Sequence, residues 1–334
     1  MIRSILSKIS NRIKGVAIIL MYHRICDLEI DPWGLSVNSD NFEQQLLVLK
    51  RKFNVISLTE LVERLNQKKS LKNCVCITFD DGYLDNYLNA KPLLEKYNCP
   101  ATFFIPTYFI GSSMQFWWDE LAEIILKSPK LPLHISLNIN DELLMFDLEN
   151  ELLTAQDELK HKDWRYTDPI PTKRCELYLL IWKKLQPLNL DVIFEVLNRI
   201  RNWANYIGHN SRMVMNMNEL TSLANNPIFK LGIHTATHLA LGQHSHDIQN
   251  EEIKTSATVL QQFSKGFINI VAYPYGNYNQ DTIDIMQNQR IAAAVTTRAI
   301  CVTSDSGNFE LGRFAIENVD GRAFAKQLSV WQKC

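Results

Sequence analysis

Short apolar runs that read as strands alternate with amphipathic helical patterns in two separate blocks of the chain. This alternation restricts the architecture more than any other feature. In the first block residues 16–22, 75–79 and 101–105 are strand-like. Between them, Asp40 precedes an apolar period of Phe42, Leu46, Leu49 and Phe53, and Thr59 precedes Leu61, Val62 and Leu65. Residues 87–97 are again helical. The second block reads strand over 229–233, helix over 248–263, strand over 270–273, helix over 282–288 and strand over 292–295. Strands separated by helices cross over and lie parallel, so an α/β barrel or a doubly wound sheet is expected.

Between the blocks the pattern changes. Residues 135–139 and 142–146 flank Asn140-Asp141 as a β-hairpin would. Helical stretches follow, one from Asp168-Pro169 through Trp182 and one over 192–203. We read residues 115–226 as an insertion subdomain over one mouth of a discontinuous domain formed by 16–114 and 227–320. Residues 1–15 form an N-terminal amphipathic segment, in which Ile2, Ile5, Leu6, Ile9 and Ile13 share a helical face and the basic residues lie largely elsewhere. Two readings are open: a helix capping the domain, or an interfacial helix giving peripheral membrane contact through residues 1–14. The apolar run that follows is too short for a signal peptide and ends in Tyr22-His23-Arg24 without a small-residue cleavage site. No run approaches the roughly 18 apolar residues of a membrane span.

A formal net charge of −1 over 334 residues provides no global field for nucleic acid, and no nucleic-acid partner is expected. The seven cysteines include no CxxC pair, which argues against a structural zinc site or a disulfide framework. Scattered thiols fit a reducing compartment, hence a cytoplasmic location, free or peripheral at the inner membrane face. Cys74 and Cys76 would point to one face of their strand.

Two constellations stand where strands end. Thr78-Phe79-Asp80-Asp81-Gly82-Tyr83 closes the run 75–79, and in parallel α/β folds the carboxyl ends of strands face the active site. Adjacent aspartates there can divide the work, one holding a metal ion and the other handling a proton. Taken alone, the same residues also suit an Asx turn with Gly82 at positive φ. His234-Thr235-Ala236-Thr237-His238 follows the run 229–233, and imidazoles four residues apart can converge on one ion. That spacing alone is equally compatible with core or surface histidines. Two histidines, one carboxylate and an open position make a catalytic zinc site, so the two constellations together point to metal. His244 and His246 lie in a polar stretch and read as solvated, and Met213, Met215 and Met217 read as packing.

These motifs resemble those of the polysaccharide deacetylase superfamily, also called the NodB homology domain or carbohydrate esterase family four. Tyr22-His23-Arg24, Cys99-Pro100-Ala101-Thr102-Phe103-Phe104 and Tyr273-Pro274-Tyr275-Gly276 resemble further family segments in matching order. The likeness covers both blocks and omits the insertion. It implies an α/β fold, a distorted, incomplete (β/α) barrel, here with a mixed, mainly helical insertion. It also implies a metal-dependent hydrolase removing an N-acyl (acetyl) group from a carbohydrate, in the synthesis or modification of a surface polysaccharide or other glycan. The substrate would be an N-acetylated saccharide, polymeric or lipid-linked. The alternatives are a deformylase or other amide hydrolase acting on a lipid-linked sugar, and a non-catalytic carbohydrate-binding protein on the same fold.

Carried over residue by residue, the resemblance makes Asp80 the general base and Asp81, His234 and His238 the ligands of one divalent ion. Zinc is the default for that set, and cobalt, nickel and iron suit the same donors. Tyr275 would offer its backbone N–H to the oxyanion, with Pro274 fixing the loop. Two departures stand out. Many members carry an arginine, in contact with the base, two residues before that proline; here the position is Ala272, which leaves open what orients Asp80. Typical members close with a Leu-x-His motif whose histidine protonates the leaving amine; this chain reads Glu310-Leu311-Gly312-Arg313-Phe314 and has no histidine after His246. Some members supply the acid from the first strand, where His23 stands here. The alternative is that His23 only hydrogen-bonds within the barrel mouth. The run Phe116-Trp117-Trp118 suits either a sugar-stacking platform or a core.

Overall fold

The strand-like runs are largely apolar because both faces of the sheet they form are covered. The structure is a computed structural model, and it describes residues 15–208 and 212–333. Its central sheet comprises β1 (Ala17–Tyr22), β2 (Asn54–Val55), β3 (Cys74–Phe79), β4 (Ala101–Ile105), β5 (Phe229–Ile233), β6 (Phe267–Ala272), β7 (Ala293–Val295) and β8 (Phe314–Ala315). They lie in the order β7-β6-β5-β4-β3-β1-β8, with β2 against β3. Every pairing is parallel, and the sheet forms a half-barrel. Alternation along β1 shows the two covered faces. Ile18, Leu20 and Tyr22 pack with Phe42, Leu46 and Leu49 of α1 (Ser39–Lys52). Ala17 and Ile19 pack with Cys74, Cys76 and the apolar face of α2 (Leu58–Asn66). The two cysteines share a face as expected, and the six described cysteines are free thiols.

Most elements lie within a few residues of the apolar periods that announce them; β6 begins at Phe267, ahead of the expected run, and the two-residue strands β2 and β8 have no such run. Asn38, not Asp40, caps α1: its side-chain oxygen accepts the Asn41 N–H at 2.8 Å, and Asp40 stands in the first turn, where its charge faces the positive helix end. Ser57 caps α2 in the same way. The single helix expected over 87–97 is a π-helical turn, Asn86–Ala90, running into α3 (Lys91–Lys96). The layer is completed by α4 (Met217–Asn225), α5 (His246–Leu260), α6 (Gln280–Asn288) and α7 (Gly321–Trp331). Met215 is buried as packing requires, whereas Met217 is exposed. Gly232 in β5 is required by close approach. A Cβ there would lie 2.5 Å from the Phe104 ring and 3.2 Å from the Ile270 carbonyl oxygen, two residues before His234.

The chain divides into two compact units. Of the described residues, the half-barrel unit takes those up to Asp27, then Leu35–Ser112 and those from Val214 onward; the second takes those within Leu28–Gly34 and Ser113–Met213. The second unit ends before the 226 expected from sequence, because α4 packs on β5 of the half-barrel. Within the second unit, His134–Ile139 and Glu142–Asp147 form the expected antiparallel hairpin, burying Ile135, Leu137 and Ile139. Helices Lys173–Leu185 and Leu190–Ala204 supply much of its core. Trp33 ties Leu28–Gly34 to this unit: its ring lies 4.4 Å from that of Tyr166 and 4.1 Å from that of Trp182, and its indole N–H donates to the Tyr178 hydroxyl. Phe116, Trp117 and Trp118 are 0%, 3% and 6% exposed, so they belong to the core and offer no stacking platform. The amphipathic segment 1–14 and His209 lie outside the described residues. Among the described residues no helix is long and apolar enough to cross a membrane.

Candidate metal centre and active site

Parallel pairing brings the ends of β1, β3, β5 and β6 to one rim. Alternation puts Cys74, Cys76 and Thr78 of β3 on one face, with Asp80 next in line. Asp80 is 2% and Asp81 4% exposed. The chain turns at once, with Asp81 at φ 70° and Gly82 at φ 66°. This turn directs the two carboxylates apart.

Asp81 meets the two histidines that follow β5. Its Oδ1 lies 3.4 Å from His234 Nε2 and 3.2 Å from His238 Nε2, and all three side chains are buried. One donor atom from each can be chosen so that all lie within 4.8 Å of one another. The Nδ1 of His234 is 2.8 Å from the Ala272 carbonyl, a contact that makes it the donor. His234 Nε2 then carries a lone pair aimed at a carboxylate oxygen. That arrangement is repulsive for a neutral ring and favourable around a cation, so the donor set fits a divalent ion. The protonation energetics agree. Burial pushes the Asp81 carboxyl up, but His238 and His234 more than offset it and hold it well below the usual carboxylate range. Burial also depresses both imidazoles; it prevails at His238, whereas contact with Asp81 and the charge of Asp80 raise His234. A shared proton or a metal ion answers the same electrostatic need.

The loop that carries the histidines is strained and tied. Thr235 and His238 adopt φ 60° and 62°, and a β-branched residue there is a genuine outlier. Each such residue costs on the order of 1–3 kcal/mol, so surrounding contacts must enforce it. Glu252 of α5 accepts the backbone N–H groups of Ala236 (2.9 Å) and Thr237 (2.8 Å) and the Thr237 hydroxyl (2.9 Å). The Thr235 hydroxyl accepts the Leu239 N–H, and the Ala236 carbonyl accepts the Tyr108 N–H.

Asp80 is held by a residue that sequence reasoning missed. Arg313, fully buried at the start of β8, donates from both terminal nitrogens to the two Asp80 oxygens at 2.7 Å each. Its Nε donates to the Thr296 carbonyl, and one terminal nitrogen also contacts the Thr78 hydroxyl at 3.1 Å. Burial pushes the Asp80 carboxyl up; the Arg313 charge, aided by His234, more than offsets this and holds it below its ordinary value. Ala272 therefore does not leave Asp80 unsupported. The sequence signal is the lone arginine of Gly312-Arg313-Phe314, in a closing segment that lacks the family histidine.

His23 leaves β1 beside Asp80. Tyr22 pairs with Phe79, and the Asp80 N–H donates to the Tyr22 carbonyl at 3.0 Å. His23 is close enough to act electrostatically on both Asp80 and Asp81. Its segment is pinned: the His23 carbonyl accepts from Asn86, Arg24 pairs with Asp85 at 2.9 Å, and the Asp85 carboxylate accepts the Ile25 N–H. From the end of β6, Tyr275 reaches the same rim. Its ring centroid is 4.6 Å from that of His238, edge to face, and its backbone is left-handed at φ 58° between Pro274 and Gly276. The structure thus gathers Asp80, Asp81, His234, His238, His23 and Tyr275 at one rim, whereas His246 is half-exposed at the start of α5.

The half-barrel thus combines a buried Asp-His-His donor set with a separately clamped aspartate. The chain belongs to the polysaccharide deacetylase family, whose profile matches residues 67–129 and 193–294. The matched residues include Asp80, Asp81, His234, His238 and Tyr275, and leave out His23 and Arg313. The chain is 36% identical over 108 residues to YxkH of Bacillus subtilis, covering 32% of this chain and 37% of that protein. It is 33% identical over 115 residues to the poly-beta-1,6-N-acetyl-D-glucosamine N-deacetylase of Staphylococcus epidermidis, covering 30% and 39%. It therefore spans well under half the length of these curated relatives. Among solved structures, the Streptococcus pyogenes deacetylase PplD superposes with a TM-score of 0.53 at 22% identity, covering 95% of this chain and 98% of that one.

Proposed function

We propose that this chain is a metal-dependent hydrolase that removes the N-acetyl group from an acetylated polysaccharide or a related glycan. The observation that carries the reading is the convergence of Asp81, His234 and His238 beside an Asp80 whose two oxygens are fixed by Arg313. The names of the staphylococcal relatives support an N-acetylated hexosamine polymer as substrate. Asp81, His234 and His238 would hold the ion, zinc by the nature of the donors. When bound, it supplies Lewis-acid polarisation of an acyl carbonyl and acidifies water.

The remaining work falls to the chain's own side chains. Asp80 stays ionised and accepts a proton from the attacking water. Arg313 occupies part of the lone-pair capacity of the carboxylate, so the remainder points in a set direction. The Tyr275 N–H, preset by its left-handed backbone, stabilises the developing oxyanion. His23 protonates the departing amine, which is a poor leaving group until nitrogen carries that proton. Incubation with N-acetylglucosamine oligomers should release acetate and free amine in equal amounts. Release of formate from N-formyl sugars in preference, or no acyl release from any saccharide, would overturn the reading.

A further inference from the structure

We infer that Glu252 is a positioning residue that holds the His234–His238 loop in its ligand-competent form. This rests on the metal reading of Asp81, His234 and His238 and extends it to a side chain that makes no contact with an ion. Between the two histidines lie Thr235, Ala236 and Thr237, and the loop leaves the ordinary backbone regions at Thr235 and again at His238. One carboxylate, half-buried on α5, takes up two consecutive backbone N–H groups and the hydroxyl between the histidines. A carboxylate can accept all three because it has about four lone-pair sites and no donor of its own. Charge-assisted bonds of this length are the strong kind. The Glu252 clasp therefore sets where His238 Nε2 stands relative to His234 Nε2 before any ion arrives. Without it the loop relaxes toward ordinary φ values and the two nitrogens separate, so an ion would have to restore the strained form on binding.

The test is Zn2+ affinity of the purified chain, measured against a competing chelator, with parent, Glu252→Gln, Glu252→Asp and Thr237→Val compared. A residue that orients a ligand typically controls 10–100-fold in metal affinity. Glu252→Gln, which removes the charge and leaves one acceptor oxygen for three donors, should weaken Zn2+ binding by about that factor. Glu252→Asp should recover part of the loss. A merely structural role would lower the melting temperature of the metal-free protein and leave the added stabilisation by Zn2+ unchanged, whereas the clasp predicts a smaller Zn2+ increment. Parent-like affinity in Glu252→Gln overturns the inference alone. A parent that takes up no Zn2+, or an Asp81→Ala variant that binds it as tightly as the parent does, overturns the metal reading and this inference with it. If Glu252→Gln does not fold, Thr237→Val carries the test: weaker Zn2+ binding supports the clasp and parent affinity overturns it.

Discussion

Arg313 and Asp80, 233 positions apart in the sequence, are joined by two parallel hydrogen bonds of 2.7 Å with both side chains out of water. The pair links the last strand of the sheet to the end of β3. Asp80 is thereby fixed in charge state and orientation by the closing segment of the half-barrel. Breaking a buried pair by removing one partner leaves an uncompensated charge, so Arg313→Ala should lower stability by about 3–5 kcal/mol in urea titrations. Arg313→Lys keeps the charge but not the planar fork. Its turnover should fall by about 10²-fold, as for a roughly 1 Å misplacement of a reacting group, with Zn2+ content unchanged. Added guanidinium should restore part of the activity of Arg313→Ala and none of that of Asp80→Asn.

Asp80 and Asp81 are neighbours with different partners, and their variants should separate binding from turnover. Asp81→Ala is expected to lose metal and activity together. Asp80→Asn should retain metal, by elemental analysis, and lose activity. Equal hydrolysis by Asp80→Asn and the parent would contradict this division of labour.

His23 is placed by β1 beside Asp80, and the acid role proposed for it would have a signature in the leaving group. His23→Ala should slow amide hydrolysis by something like the 10²–10⁴-fold typical of general acid–base catalysis. An activated aryl ester, whose leaving group needs little protonation, should suffer far less. Equal losses on both substrates would mean that His23 shapes the site and donates no proton.

Gly276 follows Tyr275 with φ 65°, and a Cβ there would lie 2.1 Å from the Thr297 hydroxyl oxygen. Gly276→Ala should therefore destabilise the chain by roughly 1–3 kcal/mol, the usual range for overpacking, and reduce turnover by displacing the Tyr275 N–H. Gly276→Ala/Thr297→Ala should regain part of the stability, because the 2.1 Å contact goes while the position 297 Cβ, 3.0 Å away, and the backbone strain stay. A double variant no more stable than the single one would put the whole effect in the backbone.

Six of the eight sheet strands were legible as largely apolar runs between helices, and β4 and β5 were located to the residue, whereas the two-residue β2 and β8 carry no such run. Asp80, Asp81, His234 and His238 were legible because each pair is local in sequence and follows a strand. What escaped the sequence is non-local or geometric. Arg313 is a single arginine far along the chain whose partner only folding supplies. Glu252 sits on a helix where a carboxylate ordinarily faces water, and nothing local marks its three acceptor contacts. Leu28–Gly34 joined the second unit through Trp33, a contact across more than a hundred residues that no periodicity encodes.

The most direct test of the account is acetate release from N-acetylglucosamine oligomers by the purified chain before chelation, after chelation and after Zn2+ is returned. The account predicts release that stops on chelation, returns with Zn2+ at one equivalent per chain and is abolished in Asp80→Asn. Acetate release that survives both chelation and Asp80→Asn, or none at any metal content, would contradict it.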